Sequence, residues 1–174
     1  MIAKRKSSAL LPNPLRLLSL SLRASVLLYV AQVLSVGAGS SQNRLPFKLG
    51  IRDSLMIAHS FRHPDFGPAQ NLHGATYTCD VEFQCAALQS PQNWVMDIGK
   101  ASTMLSKVLS NYNFQNLDEV FPNGELTTTE FMAQRIHEQL AQCIKGEGIP
   151  FKGNICVKLW ESHKAWASYE AEVR

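Results

Sequence analysis

The sequence predicts an α+β domain. Its order is β-β-α-α-β-β, with a four-stranded antiparallel sheet and two helices on one face. Three observations carry this. Two runs, Phe47 to Phe61 and Thr76 to Cys85, alternate apolar and polar residues, the pattern of half-buried strands. Two runs between Trp94 and Ile144 repeat apolar residues at helical spacing. Two more alternating runs, Ile155 to Leu159 and Trp166 to Val173, close the chain. Laying both amphipathic helices on one face of a sheet is the simplest way to bury every stripe.

In the first strand Phe47, Leu49, Ile51, Leu55, Ile57 and Phe61 share odd parity, and only Asp53 breaks the series. His59 has that parity too, so it points inward near the strand end. Pro64, Gly67 and Pro68 mark a loop. In the second strand Tyr77, Cys79, Val81, Phe83 and Cys85 point one way, and Thr76, Thr78, Asp80, Glu82 and Gln84 the other. Adjacent amphipathic strands joined by a medium loop pair antiparallel. Trp94 to Gly99 leads into the first helix, whose stripe is Ala101, Leu105, Val108, Leu109 and Tyr112. Asn111 to Gly124 reads as a polar loop. Thr127 and Glu130 then form a T-x-x-E capping box, each side chain bonding the other residue's backbone N–H. Phe131, Met132, Ile136, Leu140, Cys143 and Ile144 are the stripe of the second helix, with His137 at its edge as a structural residue. Gly146 and Gly148 stop it. The third strand ends at Glu161, residues 162–164 turn the chain, and Trp166 begins the fourth.

Charge is uneven along the 174 residues. Residues 1–52 hold Lys4, Arg5, Lys6, Arg16, Arg23, Arg44, Lys48 and Arg52, and no acid. The overall +3 therefore belongs to the N-terminal part, and the folded part is acidic. That argues against a nucleic-acid footprint. Residues 1–45 read as a targeting-like or non-native extension, separate from the domain at 46–174. They have a basic start, a Leu/Ser-rich composition and an apolar run from Ala24 to Val36. The small residues Gly37 to Ser40 follow it. A secretory signal, an organelle transit peptide and a translated upstream region all fit this composition. The apolar run, about 13 residues, is shorter than the about 20 that cross a membrane. The expected location is cytoplasmic if the extension is not a working signal, and an organelle or export if it is. Cys79, Cys85, Cys143 and Cys156 lack C-x-x-C spacing. They read as small core residues, neither a disulfide framework nor a metal site.

The stretch from Ile57 to Tyr77 carries His59, His63 and His73, three of the five histidines. Neutral imidazole is a common metal ligand and the usual acid–base group near neutral pH. No complete ligand spacing is present, so a polar loop carrying histidines and a metal or catalytic site both remain open.

Several motifs now fall in one order. They are Ala58-His59 ending the first strand, Leu72-His73-Gly74 opening the second, and Val95-Met96-Asp97-Ile98-Gly99 before the first helix. Asn116-Leu117-Asp118, Thr128-Thr129-Glu130, Glu161 and Trp166-Ala167-Ser168-Tyr169 follow. In these features, over Phe47 to Glu172, the chain resembles the 6-pyruvoyl-tetrahydropterin synthase / 6-carboxytetrahydropterin synthase family. The resemblance implies the tunnelling fold, in which sheets join edge to edge into rings and two rings stack as a homohexamer. It implies a pterin pocket at a subunit interface, with Glu161 and Thr128 as substrate-binding residues. A carboxylate at Glu161 suits that role, because it accepts two parallel N–H bonds from the 2-amino and ring N–H groups.

The departures are as informative. The family holds zinc through three histidines, and His59 and His73 match two of them. Ala75 stands at the third, so the expected zinc site is weak or lost. The family's cysteine position is Ala69, and its Asp-His pair is Asn113-Phe114. Nucleophilic or proton-shuttle chemistry does not pass through these side chains. Two residues offer compensation. His63 is either a third nitrogen or an exposed loop histidine. His163, directly after Glu161-Ser162, is the candidate catalytic residue in place of the lost histidine. The implied function is a 6-carboxytetrahydropterin synthase-like lyase acting on dihydroneopterin triphosphate, on a queuosine-type route. The alternative is a non-catalytic pterin-binding or hetero-oligomer subunit.

Overall fold

The computed structural model describes residues 45–173. The extension expected over 1–45 lies outside the described residues, save Leu45. Strands β1 (Phe47–His59) and β2 (His73–Cys85) form a long antiparallel hairpin, with Phe47 opposite Cys85 and His59 opposite His73. The loop between them is not wholly irregular. Pro64–Gln70 forms a 3-10 segment, whose N-cap His63 accepts a bond from the Asp65 N–H. Two prolines fit here because a short turn needs few backbone donors.

Helix α1 (Ile98–Ser110) starts where Asp97 accepts a bond from the Lys100 N–H. Helix α2 (Leu117–Val120) is one turn, capped by Asn116. Helix α3 (Thr129–Gly146) is capped by Thr128, whose hydroxyl accepts from the Phe131 N–H. The N-cap is therefore Thr128 rather than the expected Thr127, and Phe131 three residues on has no side-chain acceptor to complete a capping box. Strands β4 (Asn154–Trp160) and β5 (Trp166–Glu172) complete the sheet.

The sheet has five strands rather than four, in the order β3-β1-β2-β4-β5. The added strand, β3 (Gln115–Asn116), lies in the stretch expected to be a loop, and it pairs parallel with Ile57 and Ala58 of β1. A two-residue strand has no period to read. The edge of β1 creates it, by offering backbone groups that must be paired.

The helices cover one face of the sheet. Leu55, Ile57, Tyr77, Cys79, Val81, Phe83, Ile155, Val157 and Leu159 are buried beneath Ala101, Leu105, Val108, Met132, Ile136 and Leu140. The strand parities and helix stripes read from the sequence account for this core. The other face is polar. Lys48 pairs with Glu82 at 3.0 Å and Arg52 pairs with Asp80. The Trp160 indole N–H donates to Asp80 at 2.8 Å. The Arg52 guanidinium first, and that indole bond with it, hold the Asp80 carboxyl below the usual carboxylate range, against burial, which raises it. Cys156 lines this polar face rather than the core, because β4 turns Ile155, Val157 and Leu159 inward. All four cysteines are free thiols. His137 is buried in α3, and its Nε2 is 3.1 Å from the Ala171 carbonyl oxygen, so it ties α3 to β5. Among the described residues no helix is long and apolar enough to cross a membrane.

Candidate functional site

One end of the sheet gathers the chemistry. The hairpin register sets His59 directly opposite His73. Both have the inward parity, so their rings meet at 4.6 Å between centroids, tilted by 53°. Phe61 packs against the His59 ring, and Phe66 against Phe61.

Each imidazole is held by its Nδ1. That of His59 lies 3.2 Å from both the carbonyl oxygen and the hydroxyl of Thr127. That of His73 lies 2.8 Å from the Asn71 carbonyl oxygen. A carbonyl only accepts, so both Nδ1 atoms carry the proton and both Nε2 atoms hold a lone pair. The second-sphere partner of a metal-bound histidine has this arrangement. His59 is wholly buried, and its Nε2 has no hydrogen-bond partner. Burial, then the neighbouring His73, pushes the His59 imidazole below its ordinary pKa, while the Thr127 carbonyl, Glu161 and Asp118 oppose this. Asp118 in α2 accepts bonds from the Ser60 N–H at 3.1 Å and the Ser60 hydroxyl at 2.6 Å, which fixes the chain just past His59.

A cleft of about 280 Å³ opens nearby, lined among others by Phe61, Phe66, Thr128, Thr129, Glu161 and Trp166. Glu161 is exposed at the end of β4, and its Oε2 accepts the Thr129 hydroxyl at 3.1 Å. Thr128 lines the cleft, but its hydroxyl is occupied by the helix cap. Tyr77 of β2 is wholly buried. Burial first, together with the nearby Glu161 and Glu130 carboxylates and against Thr129, pushes its phenol up to about 12.

His163 sits exposed in the turn between β4 and β5 and is not among the residues that line the cleft. His63 is exposed too, with its Nδ1 engaged by the Asp65 N–H at 3.3 Å and its ring against Phe66. The Ala75 methyl holds the position two residues beyond His73 on the same face. Asn113 accepts the Met56 N–H at 2.9 Å through its side chain, and Phe114 is exposed with φ of 60°. A bulky residue in this left-handed region is uncommon. Its N–H donates to the Met56 carbonyl at 2.6 Å, so Asn113 and Phe114 together clamp the β1 edge.

Of the three histidines of the zinc centre that the motifs imply, two are provided. His59 and His73 present two buried or half-buried lone pairs of suitable chemistry. Among the described residues no three His, Cys, Asp or Glu groups converge as metal ligands. A catalytic zinc needs three protein ligands, so the residues present do not fit that centre.

Thr127, Thr129, Phe61 and Tyr77 escaped the sequence reading as site residues. Thr129 lies inside the Thr128-Thr129-Glu130 motif, and Tyr77 has the parity of His73, so a signal for both existed.

A five-stranded sheet with helices on one face is the architecture of the tunnelling fold, here with the Glu161 cleft and the paired imidazoles gathered at one end. The model of the 6-pyruvoyl tetrahydropterin synthase family matches residues 48–172. The chain belongs to that family, which supports a pterin-synthase-like function. Among solved structures it is similar to the 6-pyruvoyl tetrahydropterin synthase of Caenorhabditis elegans. That match has 22% identity and a TM-score of 0.61, over 74% of this chain and 98% of the other. It is similar also to the Plasmodium vivax 6-pyruvoyl tetrahydropterin synthase, at 14% identity and a TM-score of 0.58, over 72% and 97% of the chains. An uncharacterized Wolinella succinogenes protein has 16% identity and a TM-score of 0.50. Comparison with curated proteins yields no match. At these identities the structural likeness speaks for the fold, and the family model carries the membership.

Proposed function

We propose that this chain binds a pterin of the dihydroneopterin triphosphate class through Glu161, as a pterin-binding relative of the family's lyases. The observation that carries this is the Thr129 hydroxyl on Glu161 Oε2 at 3.1 Å, at the wall of the cleft. It holds the carboxylate while leaving Oε1 and further lone pairs for the ligand's 2-amino and ring N–H groups. Zinc is held weakly or not at all, since Ala75 gives no third imidazole. The family's cysteine and Asp-His positions are Ala69, Asn113 and Phe114, and the last two serve the β1 edge. His163 remains the candidate for any residual acid–base step, from outside the cleft lining. Assembly into a homohexamer belongs to the same reading. Among the described residues the outer edge of β5 carries no strand, and β3 covers only Ile57 and Ala58 of β1. Such open edges invite pairing with further copies.

Calorimetry with dihydroneopterin triphosphate tests the anchor. Glu161→Gln removes the charge and one acceptor. Charge-assisted bonds are worth about 1.5–3 kcal/mol, so affinity falls roughly tenfold or more. Unchanged affinity removes the role. Mass spectrometry of the same mixture, with and without zinc, returns the substrate unaltered on this reading. Formation of 6-carboxytetrahydropterin instead establishes the lyase reading and its queuosine-type route. A monomer in light scattering at micromolar concentration removes the hexamer.

A further inference from the structure

We propose that Trp166 is the platform on which the pterin ring lies, so that Glu161 reads the edge of the ring and Trp166 reads its face. The inference rests on the proposed role of Glu161 and adds the residue that selects for flatness.

The geometry singles out Trp166. It lines the cleft together with Glu161, Phe61 and Phe66. Of the aromatic residues in that lining it alone is exposed, at 51%. Phe61 is buried, with its ring spent on His59 and Phe66. One side of the Trp166 indole is already covered, because the Lys158 ammonium stands over it, 4.2 Å from the ring centroid. The Trp160 ring braces it at 5.9 Å, tilted by 52°. Trp160 is itself fixed, since its N–H donates to Asp80, which Arg52 holds in turn. The strands set the spacing. Trp160 pairs with Trp166 across the β4–β5 hairpin, and the Glu161 N–H donates to the Ala165 carbonyl at 3.1 Å. Glu161 and Trp166 therefore stand at the two ends of one tight turn.

An indole braced by a cation on one side and open to solvent on the other is a stacking surface ordered before the ligand arrives. Less freedom is then lost on binding. Stacking of a heterocycle on an aromatic side chain contributes roughly 5- to 100-fold in affinity and is indifferent to ring substituents. It depends instead on a flat face. An oxidised pterin is planar across both rings, whereas a tetrahydropterin is puckered in its second ring. Both present the same 2-amino and ring N–H groups to a carboxylate. Trp166 thus makes a distinction between planar and reduced pterins that Glu161 does not make.

The test uses the full chain with neopterin and tetrahydroneopterin as probes, by calorimetry without oxygen. The parent binds neopterin more tightly, by roughly 3- to 10-fold. Trp166→Ala weakens neopterin by roughly 10-fold or more and tetrahydroneopterin by less, so the ratio between the probes falls toward one. Trp166→Leu keeps the apolar bulk without the flat face and loses the preference in the same way. Trp166→Phe retains most of both affinity and preference. Glu161→Gln weakens the two probes alike and leaves their ratio as in the parent, a split that a general loss of folding does not produce.

A parent that binds both probes equally overturns the platform and leaves the Glu161 reading intact. So does an unchanged ratio in Trp166→Ala and Trp166→Leu. Binding of neither probe by the parent removes the pterin reading and the platform with it.

Discussion

Ala75→His puts the incomplete metal centre to its sharpest test. Residues 73 and 75 share a face of β2, and about 6.7 Å of strand separates them. His59 lies directly opposite His73, and residue 75 is opposite Ile57. The new imidazole thus sits diagonal to His59, about 7–8 Å away between Cα atoms, within reach of long side chains. Three imidazoles at these positions can converge on zinc with bonds of about 2.0–2.1 Å. The gain follows from structural zinc sites, whose binding free energy of about 10–16 kcal/mol over four ligands averages about 2.5–4 kcal/mol per ligand. Ala75 is half-buried against the core, so a larger side chain costs about 1 kcal/mol of packing. The net is about 1.5–3 kcal/mol, or roughly 10- to 100-fold tighter zinc. Chelator competition on the full chain measures this directly. After mild dialysis the parent should retain sub-stoichiometric zinc and the variant about one zinc per chain. At zinc about 100-fold above its dissociation constant, the variant also gains about 2.7 kcal/mol of stability, read as a raised melting temperature. Equal, negligible zinc in both proteins refutes the pre-positioning of His59 and His73. One tightly held zinc in the parent refutes the missing ligand, and His63→Ala should then release it.

Other perturbations test the frame that holds the site. Gly153→Ala places a Cβ 1.9 Å from the Gln84 carbonyl oxygen, so β4 must shift against β2. Urea unfolding should show a loss on the order of 3 kcal/mol. Ile136→Ala empties a wholly buried position of α3 and should cost about 2–5 kcal/mol in the same assay. The pH dependence of stability tests Asp80. Its folded pKa is depressed, so its contribution is present above the unfolded value and is lost as pH falls through the folded one. Asp80→Asn should therefore lower the melting temperature at pH 7 and converge with the parent near pH 2. The size is about 0.5–1 kcal/mol, because the Arg52 side chain is 66% exposed. A gap that persists at low pH points to packing instead.

Strand parity, helical stripes and motif order were legible without coordinates because each depends on neighbours two to four residues away. Parity alone placed His59 and His73 on one face, and a long hairpin could hardly bury its apolar side otherwise. Motif order then supplied the family, and with it the expectations at Glu161 and Ala75. What required the tertiary structure were bonds between distant segments. Strand β3 exists because Ile57 and Ala58 of β1 offer it an edge partner. His163 follows Glu161 by two residues, yet the turn leaves it outside the cleft lining.

The three threonines at the start of α3 show the division best. Thr127 holds the His59 ring, Thr128 caps the helix, and Thr129 holds Glu161. In sequence they are the same residue three times over. Successive side chains entering a helix diverge by about 100°, so each meets a different partner. Those partners come from β1, from the helix's own first turn and from the end of β4, and only the packed sheet brings them together.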